Sequence, residues 1–317
     1  MLRKVAIFPI IIFFLTNTLV PLPKITEAGQ TEYVQRTVLG RGSATIVDWS
    51  PDDELIAVGG TGGVWFYTNT LQLSSHLDVG HVSAMAWTPN DNHIAVATTN
   101  GGLVIWDATT LEPLFELNGH TDAVVSLAWS SDGTLLSSGS LDETVRIWDG
   151  TSGELVETLI GHVGQVHAIS WNADDTRLAT ASSGSSNTGF APIIWDTQSW
   201  EKLYELELDG IVNNLAWHPI DPTILALNLN RVEALWIHDT ESRETINIEG
   251  ANQGFETGVM EWRPDGSQLA MIVTSVVLIF DTTTWEPLNV LRRNDPNEFG
   301  EFFASLSWSS NGERIVT

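Results

Sequence analysis

The sequence predicts an all-β fold built as a ring of seven four-stranded antiparallel units, a β-propeller, and three observations predict it. The chain has 317 residues with 43% hydrophobic content, enough for a large core, and its 26 Gly and 12 Pro suit short strands and turns. A hydrophobic strand ending in Trp recurs at Trp49, Trp87, Trp129, Trp171, Trp217, Trp262 and Trp308, with spacings of 38, 42, 42, 46, 45 and 46 residues. Within each unit, β-type runs alternate with turn residues, and units of about 40 to 45 residues with this texture are propeller blades.

The first element is an address. Arg3 and Lys4 precede an apolar stretch from Val5 to Val20, which breaks at Pro21 and Pro23, and Thr26 and Ala28 stand before Gly29. A basic start, an apolar middle and small residues at the end are the parts of a secretory signal, expected over residues 1–28 and cleaved near Ala28. The expected location is secreted or extracytoplasmic. An uncleaved N-terminal membrane anchor or a buried helix is the alternative, although the apolar run is shorter than the roughly 20 residues that cross a bilayer. No membrane span is expected in the mature chain, residues 29–317.

The blades follow near 41–81, 82–120, 121–162, 163–210, 211–250 and 251–292, with a partial seventh at 293–317. The third shows the pattern most clearly, in runs Val124 to Trp129, Leu135 to Gly139, Thr144 to Trp148 and Leu155 to Ile160. Ser131, Asp132 and Gly133 form the first turn, Asp142 and Glu143 the second, and Thr151 to Gly153 the third. Turns this short make consecutive strands antiparallel neighbours.

These repeats resemble the WD-repeat family. Gly-His stands at Gly80-His81, Gly119-His120 and Gly161-His162, and Trp-Asp at Trp106-Asp107, Trp148-Asp149 and Trp195-Asp196, in the family's register. Phe66-Tyr67, His238-Asp239 and Phe280-Asp281 are read as weaker forms of the second dipeptide. The resemblance implies a structural hydrogen-bond chain, which blade three supplies as His120, Ser138, Asp142 and Trp148. Blade two departs with Val96 and Asn100, and most other blades are expected to rely on packing. The resemblance also implies closure of the ring by the N-terminal segment. Tyr33 to Gly40 is similar to the fourth-strand segment Leu155 to Gly161, so 33–40 is expected as the outer strand of the last blade. That blade is incomplete at the C-terminus: Thr317 follows Trp308 by nine residues, where blade three runs 20 from Trp129 to Asp149. A truncated sequence or a frayed seam is the expectation, and a frayed seam exposes strand edges.

Charge narrows the partners. The chain carries 14 Lys plus Arg against 40 Asp plus Glu, a formal net of −26, and removal of residues 1–28 leaves 11 against 39. Such a surface repels phosphate backbones, so nucleic acid is not an expected partner. Solubility alone also accounts for the acidity. With no cysteine there are neither disulfides nor thiolate sites, and together with the simple signal this points to an exported bacterial type.

No nucleophile elbow, Walker loop, zinc-binding helix or EF-hand loop is present; no catalytic residue, cofactor or metal is expected. His162 and His167 form the nearest thing to a metal pair, but the first is the family's structural histidine. Asp52-Asp53 and Asp174-Asp175 read as turn caps. Three enlarged loops, Ser183 to Ala191, Gly250 to Gly258 and Arg292 to Phe303, are expected on one face, carrying Phe190, Phe255, Phe299, Phe302 and Phe303 as candidate partner-binding residues. Trp200 and Trp285, with Leu111 in the equivalent place, read as packing plugs on the opposite face.

Three functional readings remain at this point: a monomeric, non-catalytic scaffold that binds a protein or peptide; a hydrolase or lyase with a site on the top face; or a ligand-binding domain of a larger surface protein. The positions expected to line the axis, Ala44, Ser83, Ala123, Gln165, Val212, Thr257 and Ala304, are mostly small or neutral and favour the first.

Overall fold

The computed structural model describes residues 43–183, 191–208, 210–229, 235–248, 257–273, 276–292 and 304–317. The expected signal at 1–28 and the expected closing strand at 33–40 lie outside them. Blade one comprises β1 (Ala44–Trp49), β2 (Leu55–Gly60), β3 (Gly63–Thr68) and β4 (Leu73–Leu77). Blade two is β5 (Val82–Trp87), β6 (His93–Thr98), β7 (Leu103–Asp107) and β8 (Pro113–Glu116), and blade three is β9 (Val124–Trp129), β10 (Leu135–Ser140), β11 (Thr144–Asp149) and β12 (Leu155–Ile160). Blade four is β13 (Gln165–Trp171), β14 (Arg177–Ser183), β15 (Ile193–Asp196) and β16 (Lys202–Glu205). Blade five is β17 (Val212–Trp217), β18 (Ile224–Leu229), β19 (Leu235–Asp239) and β20 (Thr245–Asn247), and blade six is β21 (Thr257–Trp262), β22 (Gln268–Val273), β23 (Val276–Asp281) and β24 (Pro287–Arg292). The last pair is β25 (Ser307–Trp308) and β26 (Ile315–Val316).

The expected count of seven blades is corrected here. Six sheets are four-stranded antiparallel meanders, and the seventh unit is a two-stranded sheet, β25 on β26. The described residues after Trp308 supply one further strand, so the periodicity of the inner-strand Trp counts a unit whose outer half is not described.

The inner strands β1, β5, β9, β13, β17, β21 and β25 touch in succession, and β25 also touches β1. Each second strand is buried from its second residue on, in all six blades apart from the last residue of β14, because it is covered by a neighbouring blade on either side. Outer strands such as β8 and β16 are mostly exposed. Among the described residues the core is divided into clusters that straddle blade junctions, from Val64 and Phe66 of blade one with Ile94 of blade two to Met271 and Phe280 of blade six with Leu235 of blade five. Two clusters flank β25 and β26: Leu306, Trp308 and Ile315 pack on Ile272 and Ile279 of blade six, and Val316 packs on Val47 and Trp49 of blade one. The two-stranded sheet therefore fills the gap between blades six and one.

Candidate functional site

Blade three shows why its polar residues are buried together. The Trp148 indole N–H donates to Ser138 Oγ at 2.8 Å, Ser138 Oγ lies 2.8 Å from His120 Nε2, and His120 Nδ1 lies 2.9 Å from Asp142 Oδ2. One tautomer satisfies every member: His120 Nδ1–H donates to the carboxylate, and Nε2 accepts from the Ser138 hydroxyl. Burial holds the His120 pKa below its ordinary value despite Asp142, so the imidazole is neutral at neutral pH. Burial would raise Asp142, but hydrogen bonds from Thr144, the Thr121 N–H and His120 overcome it and bring its pKa to about 2.

Blade four builds a second chain, which the sequence reading did not single out. Trp195 Nε1–H donates to Thr180 Oγ1 at 2.8 Å, Thr180 Oγ1 lies 2.7 Å from His162 Nε2, and Ser182 Oγ lies 2.9 Å from His162 Nδ1. Burial pushes His162 down to about 4. In blade two, buried Val96 removes the hydroxyl and His81 is exposed.

The Asp of the Trp-Asp dipeptides, and of the weaker form Phe280-Asp281, caps the turn into the fourth strand. Asp107 accepts from the N–H groups of Thr109 and Thr110, Asp149 from Thr151 and Ser152, and Asp281 from Thr283 and Thr284. These bonds hold all three carboxyls below their usual range. Register corrects the reading of blade one. Trp148 pairs with Leu136 and Trp106 with Ile94, and the residue pairing with Ile56 is Tyr67. The slot is thus Tyr67-Thr68, one residue later than Phe66-Tyr67.

At four junctions the recurring Trp at the end of the inner strand ties one unit to the one before. Trp129 Nε1–H donates to Ala86 O, Trp171 to Ala128 O, Trp262 to Ala216 O and Trp308 to Glu261 O, at 3.0 to 3.3 Å. A second contact runs from the residue before the Trp, whose side chain accepts the N–H of the next blade's Trp: Ser170 from Trp217, Glu261 from Trp308 and Ser307 from Trp49. The second acid of each doublet is a third. Asp175 accepts from Ser131 N–H and Asp132 N–H of blade three, and Asp53 accepts from Ser310 N–H and Asn311 N–H beside β25. Both aspartates have positive φ, +58°. They were read as caps of their own turns, and the structure places them as latches on the neighbouring unit.

Two acids near the axis were not read from sequence at all. Asp48 Oδ1 accepts from the Ser307 hydroxyl at 2.9 Å, and Glu261 Oε2 lies on the other side of the same strand, 3.3 Å from Trp308 N. Burial raises the Asp48 pKa to about 6 against hydrogen bonds from Ser307 and the Trp87 N–H. Burial, reinforced by the Asp48 charge, raises Glu261 well above the usual carboxylate range. The signal was available: residues preceding the seven Trp are Asp48, Ala86, Ala128, Ser170, Ala216, Glu261 and Ser307, a column of small residues broken by two acids.

The candidate partner-binding residues Phe190, Phe255, Phe299, Phe302 and Phe303 lie outside the described residues. The strand ends that flank their loops, Ser183 and Ile193 in blade four, Ile248 and Thr257, and Arg292 and Ala304, all fall at one end of blades four to seven. His162 is bonded to two hydroxyls and His167 Nε2 to Val212 O at 2.8 Å. Among the described residues no group of three or more His, Asp or Glu is placed to hold a metal. Trp200 and Trp285 each stand edge-on to their own blade's Trp, Trp171 and Trp262, with ring centroids 6.0 Å apart. Both have positive φ, 58° and 56°, as do Leu71 and Leu111 at the same turn. Beside Trp285, between blades five and six, is a cleft of about 430 Å³ lined by Trp262, Ile246, His218, Asp221, Asp239 and Glu244 among others.

Three consecutive stretches, residues 69–107, 111–149 and 153–187, match the family described as WD domain, G-beta repeat. They cover about a third of the chain. Each matched unit begins at or near the turn before a fourth strand; the first two take in strands one to three of the next blade and the third takes in strands one and two, so the sequence repeat is offset from the blade. No curated protein matches the chain. Three stretches of the chain thus match WD repeats, and the blades stand in a β-propeller arrangement.

Proposed function

We propose that the protein is a non-catalytic scaffold acting outside the cytoplasm, which holds a protein or peptide partner on loops projecting from a rigid ring. The observation that carries this reading is the recurrence of a few tying contacts at the blade junctions. An indole bond from the inner-strand Trp ties blades three, four and six and β25 to the unit before, and an aspartate latch joins blade four to blade three and blade one to the turn beside β25. A platform of this kind fixes the spacing of its loops and leaves their sequences free to vary. Propellers carrying WD repeats commonly serve as protein-interaction scaffolds, which supports the reading.

The proposal extends to three finer points. Residues 1–28 act as an export signal, given the basic start and apolar stretch described above. The β25–β26 sheet is the inner half of a seventh blade. Its outer strand comes from residues 33–40, because a repeat unit offset by one strand leaves a ring that needs a fourth strand from the opposite chain end. The mature chain is monomeric, and its net charge disfavours nucleic acid. No helix among the described residues is long and apolar enough to cross a membrane.

The test is capture by the full chain from extracellular extract, compared with a variant whose residues 184–190 are replaced by a two-glycine turn. A partner protein retained reproducibly by the first and lost by the second supports the scaffold. Turnover of an ester or polymer, with no protein retained, overturns it in favour of a propeller hydrolase or lyase.

A further inference from the structure

At two blade junctions, on the face opposite the enlarged loops, a turn residue meets a side chain of the preceding blade. One comes from the positive-φ turn between the third and fourth strands, the other from the fourth strand of the preceding blade. Where blade three meets blade two, the turn residue is Gly153 and its partner Phe115 fills the space, since a Cβ on Gly153 would lie 2.7 Å from Phe115 Cβ. Where blade five meets blade four, the turn residue is Arg243, with its guanidinium carbon 4.4 Å from the centre of the Tyr204 ring. Both grooves are closed by the chain's own side chains.

The junction of blades six and five is built differently. Trp285 occupies the turn and Ile246 the partner position, and the latter is 51% exposed. Trp262, itself buried, stands edge-on to Trp285, and between these walls lies the cleft of about 430 Å³. Asp221, Asp239 and Glu244 line it, and among the described residues no Lys or Arg does. His218, also in the lining, accepts two turn N–H groups at Nδ1 and is held below its ordinary pKa by burial, so it contributes no positive charge at neutral pH. The groove therefore has an aromatic face and three carboxylates where its neighbour has an aromatic face and an arginine.

We propose that this cleft is the docking site for an arginine side chain presented by a partner protein, with the guanidinium against Trp285 and its charge met by Asp221, Asp239 and Glu244. The inference rests on the scaffold reading and names the chemistry of one partner contact. Arginine suits the site better than lysine because a planar, weakly hydrated guanidinium stacks on an aromatic face and still offers in-plane donors to carboxylates. The Arg243 and Tyr204 pair already places a guanidinium over an aromatic ring one blade away.

The probe is acetyl-Gly-Arg-Gly-amide at millimolar concentration, with its citrulline counterpart, which keeps the shape and lacks the charge. The readout is the Trp indole N–H spectrum of the full chain, with the Trp285 signal assigned by its loss in Trp285→Leu. Leucine is the natural control, because Leu71 and Leu111 hold the same turn at φ 68° and 60°. The expected result is a saturable shift of the Trp285 signal by the arginine peptide. Citrulline binds at least tenfold more weakly, and Glu244→Gln weakens the arginine peptide about threefold with unchanged melting temperature. No shift, an equal response to citrulline, or a response to tetramethylammonium but not to the arginine peptide overturns the proposal. A partner captured equally well by Trp285→Leu also overturns it and leaves the scaffold reading standing, whereas failure of capture by the intact chain counts against the scaffold alone.

Discussion

Blades three and four on one side of the ring, and the seam of blade six, β25 and blade one on the other, bury polar groups in opposite ways. In blades three and four a neutral imidazole is held between hydroxyls, an indole and, in blade three, a carboxylate, and each donor has an acceptor. At the seam two carboxylates flank one short strand, and few hydrogen bonds offset their burial. The first arrangement stabilises its native form at neutral pH. The second is more comfortable when protonated. Side chains at equivalent depth in one fold thus give opposite pH dependences, and the hydrogen-bond inventory of each site decides the sign.

The largest expected effect breaks the ordered side. Ser138→Ala leaves the His120 Nε2 and the Trp148 N–H without their shared partner inside the blade, which is expected to cost about 3 kcal/mol. Denaturant unfolding at neutral pH measures it. Thr180→Val does the same in blade four and is expected to cost a similar amount. A loss below about 1 kcal/mol in both would mean that packing, as in blade two with its Val96, carries these blades. Acidification acts in the same direction. The pKa of His162 is about 4 in the fold against an ordinary 6.5, so its contribution is complete above about 6.5 and is lost as pH falls through 4. Asp142, at about 2 against 3.8, contributes above about 4 and loses that contribution as pH falls toward 2.

The next effect sharpens the other side. Asp48 has a pKa of about 6 in the fold against 3.8 ordinarily, so its contribution to stability is present below 3.8 and lost as pH rises through 6. Asp48→Asn removes the charge and keeps one acceptor oxygen, enough for either the Ser307 hydroxyl or the Trp87 N–H but not both. It is expected to raise stability by about 2 kcal/mol at pH 8 and to leave it nearly unchanged at pH 4.5. Melting temperatures of both proteins across that range give the answer. A variant less stable than the parent at pH 8 would show that the ionised carboxylate holds the seam together.

Much of the architecture is legible in the sequence because it depends on local chemistry repeated at a fixed distance. The Trp column is visible since these residues pack at the blade junctions, four of them also bonding the preceding unit, and turn residues bound each strand. In blade three the strand limits read from sequence differ from those found by one residue, at Ser140 and Asp149. Less was legible where spacing changes. Trp148 follows Ser138 by ten residues, but Trp195 follows Thr180 by fifteen because the intervening loop is longer, and that shift hid the chain in blade four. The count of complete blades failed at the end, where an inner-strand Trp signals a unit but not its outer strands. The acids Asp48 and Glu261 alternate with apolar residues as any exposed polar residue would, and only the ring brings them together. The cleft beside Trp285 joins residues far apart in sequence and depends on which side chain fails to fill a junction, which no single repeat reveals.

The smallest effect asks whether the seam is a junction like the others. Asp175 latches blade four to the turn of blade three through Ser131 and Asp132, and Asp53 latches blade one to Ser310 and Asn311 with the same pattern of N–H and hydroxyl donors. These are exposed, charge-assisted bonds, so Asp175→Ala is expected to cost about 1 kcal/mol. If β25 and β26 hold the place of a blade as firmly as blade three does, Asp53→Ala costs the same. If that unit is looser, part of the bond energy is already spent on ordering the turn that carries Ser310, and the loss falls below that of Asp175→Ala. Hydrogen exchange at the Ser310 and Ser131 amides separates the cases: comparable protection in the parent and comparable loss in the two variants marks a seam equivalent to an interior junction, and weak protection at Ser310 in the parent marks the point where the ring opens first.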